Sequence, residues 1–145
     1  MKDIPLMEEE QQPHGDLLLR TQTMPADTNP NGDIFGGWVL SQMDIAGSIL
    51  AKEVTCGRVV TIAVEGMKFI EPIQVGDIFC CYGYVEKIGN TSITVKLEVW
   101  VKPIIHTCGL GRYKVTEARF VYVAIDDAHK KRKIPQKKKT KKDNN

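Results

Sequence analysis

One helix-like stretch stands ahead of four strand-like runs, and that order limits the possible folds of the 145-residue chain more than any other feature. Residues 37–53 place Leu40, Met43, Gly47 and Leu50 on one apolar stripe at helical spacing, with Trp38, Ile45 and Ile49 on a second. A helix apolar on two sides is expected to be wrapped by other structure. Its polar strip holds Ser41, Asp44, Ser48 and Lys52, so Asp44 is expected away from the main packing, within reach of a substrate or a second subunit. The runs 58–69, 77–88, 92–102 and 112–125 are dominated by Val, Ile, Thr and Tyr, which pack well on a pleated surface. Residues 16–24 read as a further strand, ahead of the helix. Pro72, Gly76, Gly89-Asn90, Pro103, Gly109 and Gly111 punctuate the joins, and Gly89-Asn90 suits a tight hairpin. Short joins make sequential strands antiparallel. The expected class is therefore α+β, with about five to six antiparallel strands and one long helix.

The helix is entered through a polar, glycine-rich loop, Asn29-Pro30-Asn31-Gly32-Asp33-Ile34-Phe35-Gly36-Gly37-Trp38. Its first five residues are turn formers, and Gly36 and Gly37 let the backbone approach another group closely. A helix N-terminus presents unpaired N–H groups and a partial positive charge. Asp44 follows about two turns in. Oxyanion donors beside a carboxylate base make one possible catalytic arrangement. A tight loop entry and a solvated mid-helix Asp make the plainer one, and spacing alone leaves both open. The loop has neither a Walker pattern nor the GxGxxG spacing of a dinucleotide fold.

Net charge conceals a division. The formal +2 comes from 20 basic and 18 acidic residues. Nine of the basic ones lie in residues 130–142, leaving 11 basic against 17 acidic in residues 1–129, about −6. The expected organisation is a flexible N-terminal arm over 1–15, a domain over 16–129 and a basic, disordered tail over 130–145. The tail's lysines carry no interleaved aromatic, which argues against a single-strand nucleic-acid site. Residues 1–16 are acidic and polar and lack the apolar core of a signal peptide, and no run of about 18 apolar residues exists. Cys56, Cys80, Cys81 and Cys108 show no CxxC pairing, and Cys80 and Cys81 should point to opposite faces of one strand. Reduced thiols in a cytoplasm are the expectation.

The segments NPNGDIFGGWVLSQMD, GRVVTIAVEGMKFIEPIQVGDIFCCYGYV, EVWVK and RYKVTEARFVYVAID resemble the acyl-CoA thioesterase family of the hotdog fold, specifically its bacterial YciA branch. The resemblance spans roughly residues 16–135, and its N-x-x-G-D-x-x-G-G…D pattern is specific to that family. It implies a sheet curled around one central helix. It also implies self-association as a dimer, with two sheets edge to edge, and a trimer of such dimers. The implied reaction is hydrolysis of acyl-CoA to a carboxylic acid and CoA, with no cofactor and no metal, CoA being part of the substrate. Gly36 or Gly37 would give the thioester oxygen its N–H, a kind of donor whose loss typically costs about 3–4 kcal/mol. Asp44 would activate water or attack directly to give a mixed anhydride. Asn29 would orient the water or the thioester, and Asn29 and Asp44 of one site would come from different subunits. Thr61 and Glu65 fall in the same region without an assigned role. For the CoA phosphates the candidates are Arg58, Lys68 and Arg112, with Lys102 and Lys114 also near strand ends. Each of these is equally a candidate for a solvated surface charge.

Other chemistries find little support. There is no GxSxG elbow. His14, His106 and His129 fall in the arm, a loop and the start of the tail, as surface histidines would. No histidine lies in the glycine-rich loop or on the helix, which argues against a dehydratase on this fold. A cysteine nucleophile has no sequence neighbour to activate it. The rival class is a non-catalytic acyl-CoA-binding regulator, yet the chain has no spare helix-turn-helix. Neither a specific nucleic acid nor a membrane is expected as a partner.

Overall fold

The alternation of branched apolar and polar residues after position 58 builds one antiparallel sheet, and the sheet bends around one helix. The computed structural model describes residues 12–104, 108 and 111–136. The strands are β1 (Asp16–Gln22), β2 (Val59–Phe69), β3 (Ile78–Ile88), β4 (Ser92–Lys102) and β5 (Tyr113–Ala124), and the helix is α1 (Gly36–Thr55). The sheet order is β1-β3-β4-β5-β2, with every neighbouring pair antiparallel. Register shifts fall between Leu17 and Leu19, Thr61 and Ala63, Glu65 and Lys68, and Val85 and Lys87. Each extra residue bends its strand and increases the local twist. Repeated along the sheet, they curl it over α1.

The core lies between sheet and helix. Strand β4 is central, and its alternate residues Ile93, Val95, Leu97, Val99 and Val101 are fully buried. They meet Phe79 and Cys81 of β3, Phe120 and Tyr122 of β5, and Met43, Ala46 and Ala51 of α1. The buried face of α1 is therefore Val39, Met43, Ala46, Gly47, Ala51 and Thr55. This corrects the expected stripes. Met43 and Gly47 are inside, but Leu40, Ile45 and Ile49 are exposed. The sheet lies so close to α1 that small residues occupy the contact. A Cβ at Gly47 would lie 2.5 Å from the Tyr122 hydroxyl. The helix is covered on one side and bare of chain on the other.

Chain on either side of the expected limits at 16 and 129 packs on the sheet; residues 1–11 of the expected arm lie outside the described residues. At the N-terminal side, the His14 ring Nδ1 sits 2.8 Å from Glu98 Oε2 and the Gln12 side chain accepts from Arg112, so residues 12–15 are fixed on the sheet rather than free. At the C-terminal side, Lys131 bridges to Ile125, and Ile134 is 1% exposed with its N–H donating to Asn90 O at 2.8 Å. Arg132 closes the end of α1. Its guanidinium donates to Thr55 O at 2.8 Å, to Arg58 O at 3.1 Å and to Ile125 O at 2.8 Å. Thr55 O is a main-chain carbonyl at the helix C-terminus, where a cation is stabilised. The expected tail over 130–145 thus holds packed residues such as Ile134; residues 137–145 lie outside the described residues. No helix among the described residues is long and apolar enough to cross a membrane.

Candidate active site

Asp44 stands two turns into α1, and two hydroxyls fix its carboxylate. Thr61 Oγ1, from β2, donates to Asp44 Oδ1 at 2.6 Å. The Tyr122 hydroxyl, from β5, lies 3.0 Å from the same Oδ1 and 3.0 Å from the Asp44 main-chain oxygen. Burial, and then the neighbouring Asp44 carboxylate, push the Tyr122 phenol far above its ordinary range, so it stays protonated and donates. Oδ2 has no partner among the described residues. Asp44 opens on a cavity of about 300 Å³ lined also by Gly37, Leu40, Ser41, Thr61, Val64 and Phe120.

The loop before the helix is tied by its own first side chain. Asn29 Oδ1 accepts from the Asn31 N–H at 2.9 Å and the Asp33 N–H at 3.1 Å, while the Asn29 N–H donates to Asp33 O at 2.7 Å. This is the local side-chain-to-backbone bonding that favours Asn in turns. With Oδ1 occupied, what Asn29 offers outward is its Nδ2 amino group, a donor. Gln74 Nε2 donates to Asp33 Oδ1 at 2.8 Å and the Ile34 N–H donates to Ile73 O at 2.9 Å, anchoring the loop to the segment after β2. The helix has no side-chain cap at Phe35. Trp38 and Val39 donate their N–H groups back to Phe35 O, whereas those of Gly36 and Gly37 have no acceptor among the described residues. Two orphan donors therefore point out of the helix N-terminus.

A single chain separates these parts. Asn29, Asp33, Gly36 and Phe69 line a second cavity of about 340 Å³, which shares no residue with the Asp44 cavity. Gly37 and Asp44 are brought together; Asn29 and Gly36 are brought together elsewhere.

The candidate CoA-phosphate residues do not converge. Arg58 and Lys68 stand ten residues apart along β2, a span of about 33 Å. Arg58 lines a cavity with Lys52 and His129 at the far end of α1, and its Nε is 3.5 Å from Asp127 on an open surface. Lys68 is exposed, without an ion-pair partner among the described residues. Arg112 lies over the Tyr82 and Trp100 rings, 5.9 and 6.0 Å from their centroids, and donates to the Tyr82 hydroxyl at 3.1 Å. Those contacts belong to the outer face of the sheet. Lys114 is paired with Glu117 at 3.1 Å, as is Lys96. Partial burial of Glu117 opposes its ionisation, and hydrogen bonds from the two lysines outweigh it, holding that carboxyl below its usual range.

The remaining candidates resolve simply. Burial pushes the Cys81 thiol up to about 12 and raises Cys80 as well, so neither offers a thiolate near neutral pH. As the strand period requires, Cys81 faces the core and Cys80 the other side of β3. His129 lies on the exposed surface, and His106 lies outside the described residues. Among the described residues, no three His, Cys, Asp or Glu side chains gather as a metal site would need. Sequence reasoning left Thr61 without a role and missed Tyr122. The available signal for Tyr122 was its place in the core-facing row Ala118, Phe120, Tyr122, Ala124, where a buried phenol needs a partner.

A five-stranded antiparallel sheet curled around one long helix defines the hotdog fold. The model of the thioesterase superfamily matches residues 31–108, and the chain belongs to that superfamily. Within it, the chain is 58% identical over 123 residues to the acyl-CoA thioester hydrolase YciA of Escherichia coli K12, a match covering 85% of this chain and 93% of that one. A hexameric thioesterase from Yersinia pestis superposes with a TM-score of 0.81 at 56% identity, over 87% of this chain and 100% of that one. A hexameric hotdog-fold thioesterase of Campylobacter jejuni gives 0.79 at 44% identity, over 83% and 91%.

Proposed function

We propose that this chain is an acyl-CoA thioester hydrolase whose working site is completed by two copies of itself. The hydrolase class follows from its relatives: the curated relative at 58% identity is an acyl-CoA thioester hydrolase, and the superposed structures are thioesterases. One observation carries the chemistry. Asp44 has one carboxylate oxygen held by Thr61 and Tyr122, the other free, and shares its cavity with the orphan N–H donor side of Gly37. A thioester carbonyl seated against the Gly36 or Gly37 N–H would gain negative charge as its carbon becomes tetrahedral, and fixed donors there lower the barrier. Asp44 Oδ2 takes a proton from water, the water oxygen bonds to the carbonyl carbon, and the C–S bond breaks. Thiolate is a good leaving group, so no strong general acid is needed at the sulfur. Asn29, with Nδ2 turned outward, orients the water or the thioester oxygen.

Two copies are needed because one chain holds Asn29 and Asp44 on separate cavities. Strand β2, 11 residues long, pairs β5 on one side and has no partner on its outer side among the described residues, with Val60, Ile62 and Val64 exposed. Leu40, Ile45 and Ile49 lie exposed on α1. An open, apolar edge of that length favours pairing with another strand. Two-fold antiparallel pairing of β2 would set the Phe69 end of one copy beside Thr61 of the other. Phe69 shares its cavity with Asn29 and Gly36, so the two half-sites would meet. The hexameric relatives support a trimer of such dimers. Arg58 and Lys68 from different copies would also approach each other, and the CoA phosphates are assigned to that pair rather than to Arg112. The four cysteines are free thiols, which agrees with a reducing cytoplasm.

Hydrolysis of a series of acyl-CoA lengths, read by release of free thiol, tests the activity. Asp44→Asn keeps the shape of the side chain and removes the base. It is expected to lower kcat by at least about a hundredfold while the Tm and CoA binding hold. A wild-type chain that binds acyl-CoA without turnover would make it a binding protein instead. Retention of more than about a tenth of the rate in Asp44→Asn would remove Asp44 from the reaction.

A further inference from the structure

We infer that Tyr122 is a positioning residue for the reaction: its hydroxyl, admitted by Gly47, sets the rotation of the Asp44 carboxylate and remains satisfied through the proton transfer. This rests on the reading of Asp44 as the reacting base. Tyr122 is fully buried in the core, stacked at 6.3 Å on Phe120, and its ring has no freedom to leave. Its hydroxyl reaches past the ring to Asp44 of α1. It can do so because position 47 carries no side chain; a Cβ there would lie 2.5 Å from the hydroxyl and 3.1 Å from Leu97 Cδ1. Gly47 sits in mid-helix, where glycine is costlier than alanine. The close approach of the hydroxyl accounts for that cost.

The geometry also explains how one phenol serves both protonation states of its neighbour. Its single proton faces two acceptors at equal range, Asp44 Oδ1 and the Asp44 main-chain oxygen, each at 3.0 Å. While the carboxylate is charged, Oδ1 is the stronger acceptor and receives it together with the Thr61 hydroxyl at 2.6 Å. Two donors on Oδ1 leave Oδ2 directed to the cavity. When Oδ2 takes the proton from water, Oδ1 becomes a weaker acceptor. The Tyr122 proton then turns to the main-chain oxygen without any heavy atom moving. No buried donor is left unpaired at that moment, a condition that would otherwise add to the barrier. Thr61 serves the charged state through its bond to Oδ1.

Tyr122→Phe removes the oxygen and keeps the ring. Losing one hydrogen bond to a charged group corresponds to a fall in kcat of about ten- to hundredfold. KM and the Tm should stay close to the parent's. Because Tyr122 acts only through Asp44, the same change made in Asp44→Asn should leave the residual rate unaltered, a full non-additivity. Gly47→Ala, whose Cβ would lie 2.5 Å from the hydroxyl, should also lower kcat in protein whose far-UV spectrum and oligomeric state match the parent's. Three results would overturn the inference: a kcat for Tyr122→Phe within about twofold of the parent, a rise in KM in place of a fall in kcat, or losses that multiply with Asp44→Asn. An active Asp44→Asn would instead sink the assignment of Asp44 itself, whatever Tyr122 does.

Discussion

Gly36 stands at the first position of α1, and what its missing side chain permits is local. A Cβ there would lie 3.2 Å from Phe69 Cζ and 3.3 Å from Cε2, tighter than ordinary packing, yet Phe69 is 52% exposed and its ring can swing away. Alanine at a helix position also restricts the unfolded chain more than glycine does. Gly36→Ala is therefore expected to fold with stability within about 1 kcal/mol of the parent. The displaced ring enters the cavity shared with Asn29, so kcat/KM should drop severalfold. Adding Phe69→Leu should recover part of it, with a coupling of about 0.5–3 kcal/mol in a double-mutant cycle of kcat/KM. Simple additivity would separate Gly36 from the ring. At this scale the sequence was readable where the chemistry is local. Gly36, Gly37 and Asp44 share one loop and two helical turns. Thr61 and Tyr122 meet Asp44 from 17 and 78 residues away, and no local period encodes such a meeting.

The elements were legible because each obeys a simple period. Strand β4 falls at Ser92–Lys102 as expected, and the other strands end within two residues of their expected limits. The face of α1 was harder to read. Large side chains dominate a hydrophobic stripe, so Leu40, Ile45 and Ile49 drew the expected contact toward themselves. The sheet approaches too closely for them, and Ala46, Gly47 and Ala51 take the interface. The C-terminal segment was hidden by its composition, since Ile134 and Arg132 stand in a run of lysines. Their roles give a sharp outcome. A chain ending at residue 129 loses a buried Ile side chain, about 1.5–3 kcal/mol, and the cation closing the end of α1, about 0.3–1 kcal/mol more. A chain ending at 136 keeps both. Urea unfolding should show a midpoint for the first well below the full chain's, and for the second equal to it. Equal midpoints for both would mean that residues 130–136 add nothing to the fold.

For the whole molecule, the proposed two-copy site gives a test that no single-chain site passes. Asn29→Ala and Asp44→Ala should each be inactive alone. In a mixed dimer, the Asn29 of one variant meets the Asp44 of the other, restoring one of two sites. Random exchange makes half the dimers mixed, so about a quarter of the parent rate should return. No recovery after exchange verified by mass would favour a site within one chain. Sequence reasoning reached the sheet-and-helix plan because hairpin joins and one helix leave few arrangements. It reached the proposed shared site only through family resemblance, since two cavities in one chain carry no mark of how a second copy lies. The separation of those cavities also has a kinetic meaning. On the two-copy reading, a chain that holds its base in one cavity and its orienting amide in another would be inert when alone, however well folded. Turnover per chain then reports association: it stays constant while pairs persist and falls in proportion to total concentration once dilution frees them. A newly made chain would wait for a partner before it could spend any of the cell's activated acyl groups.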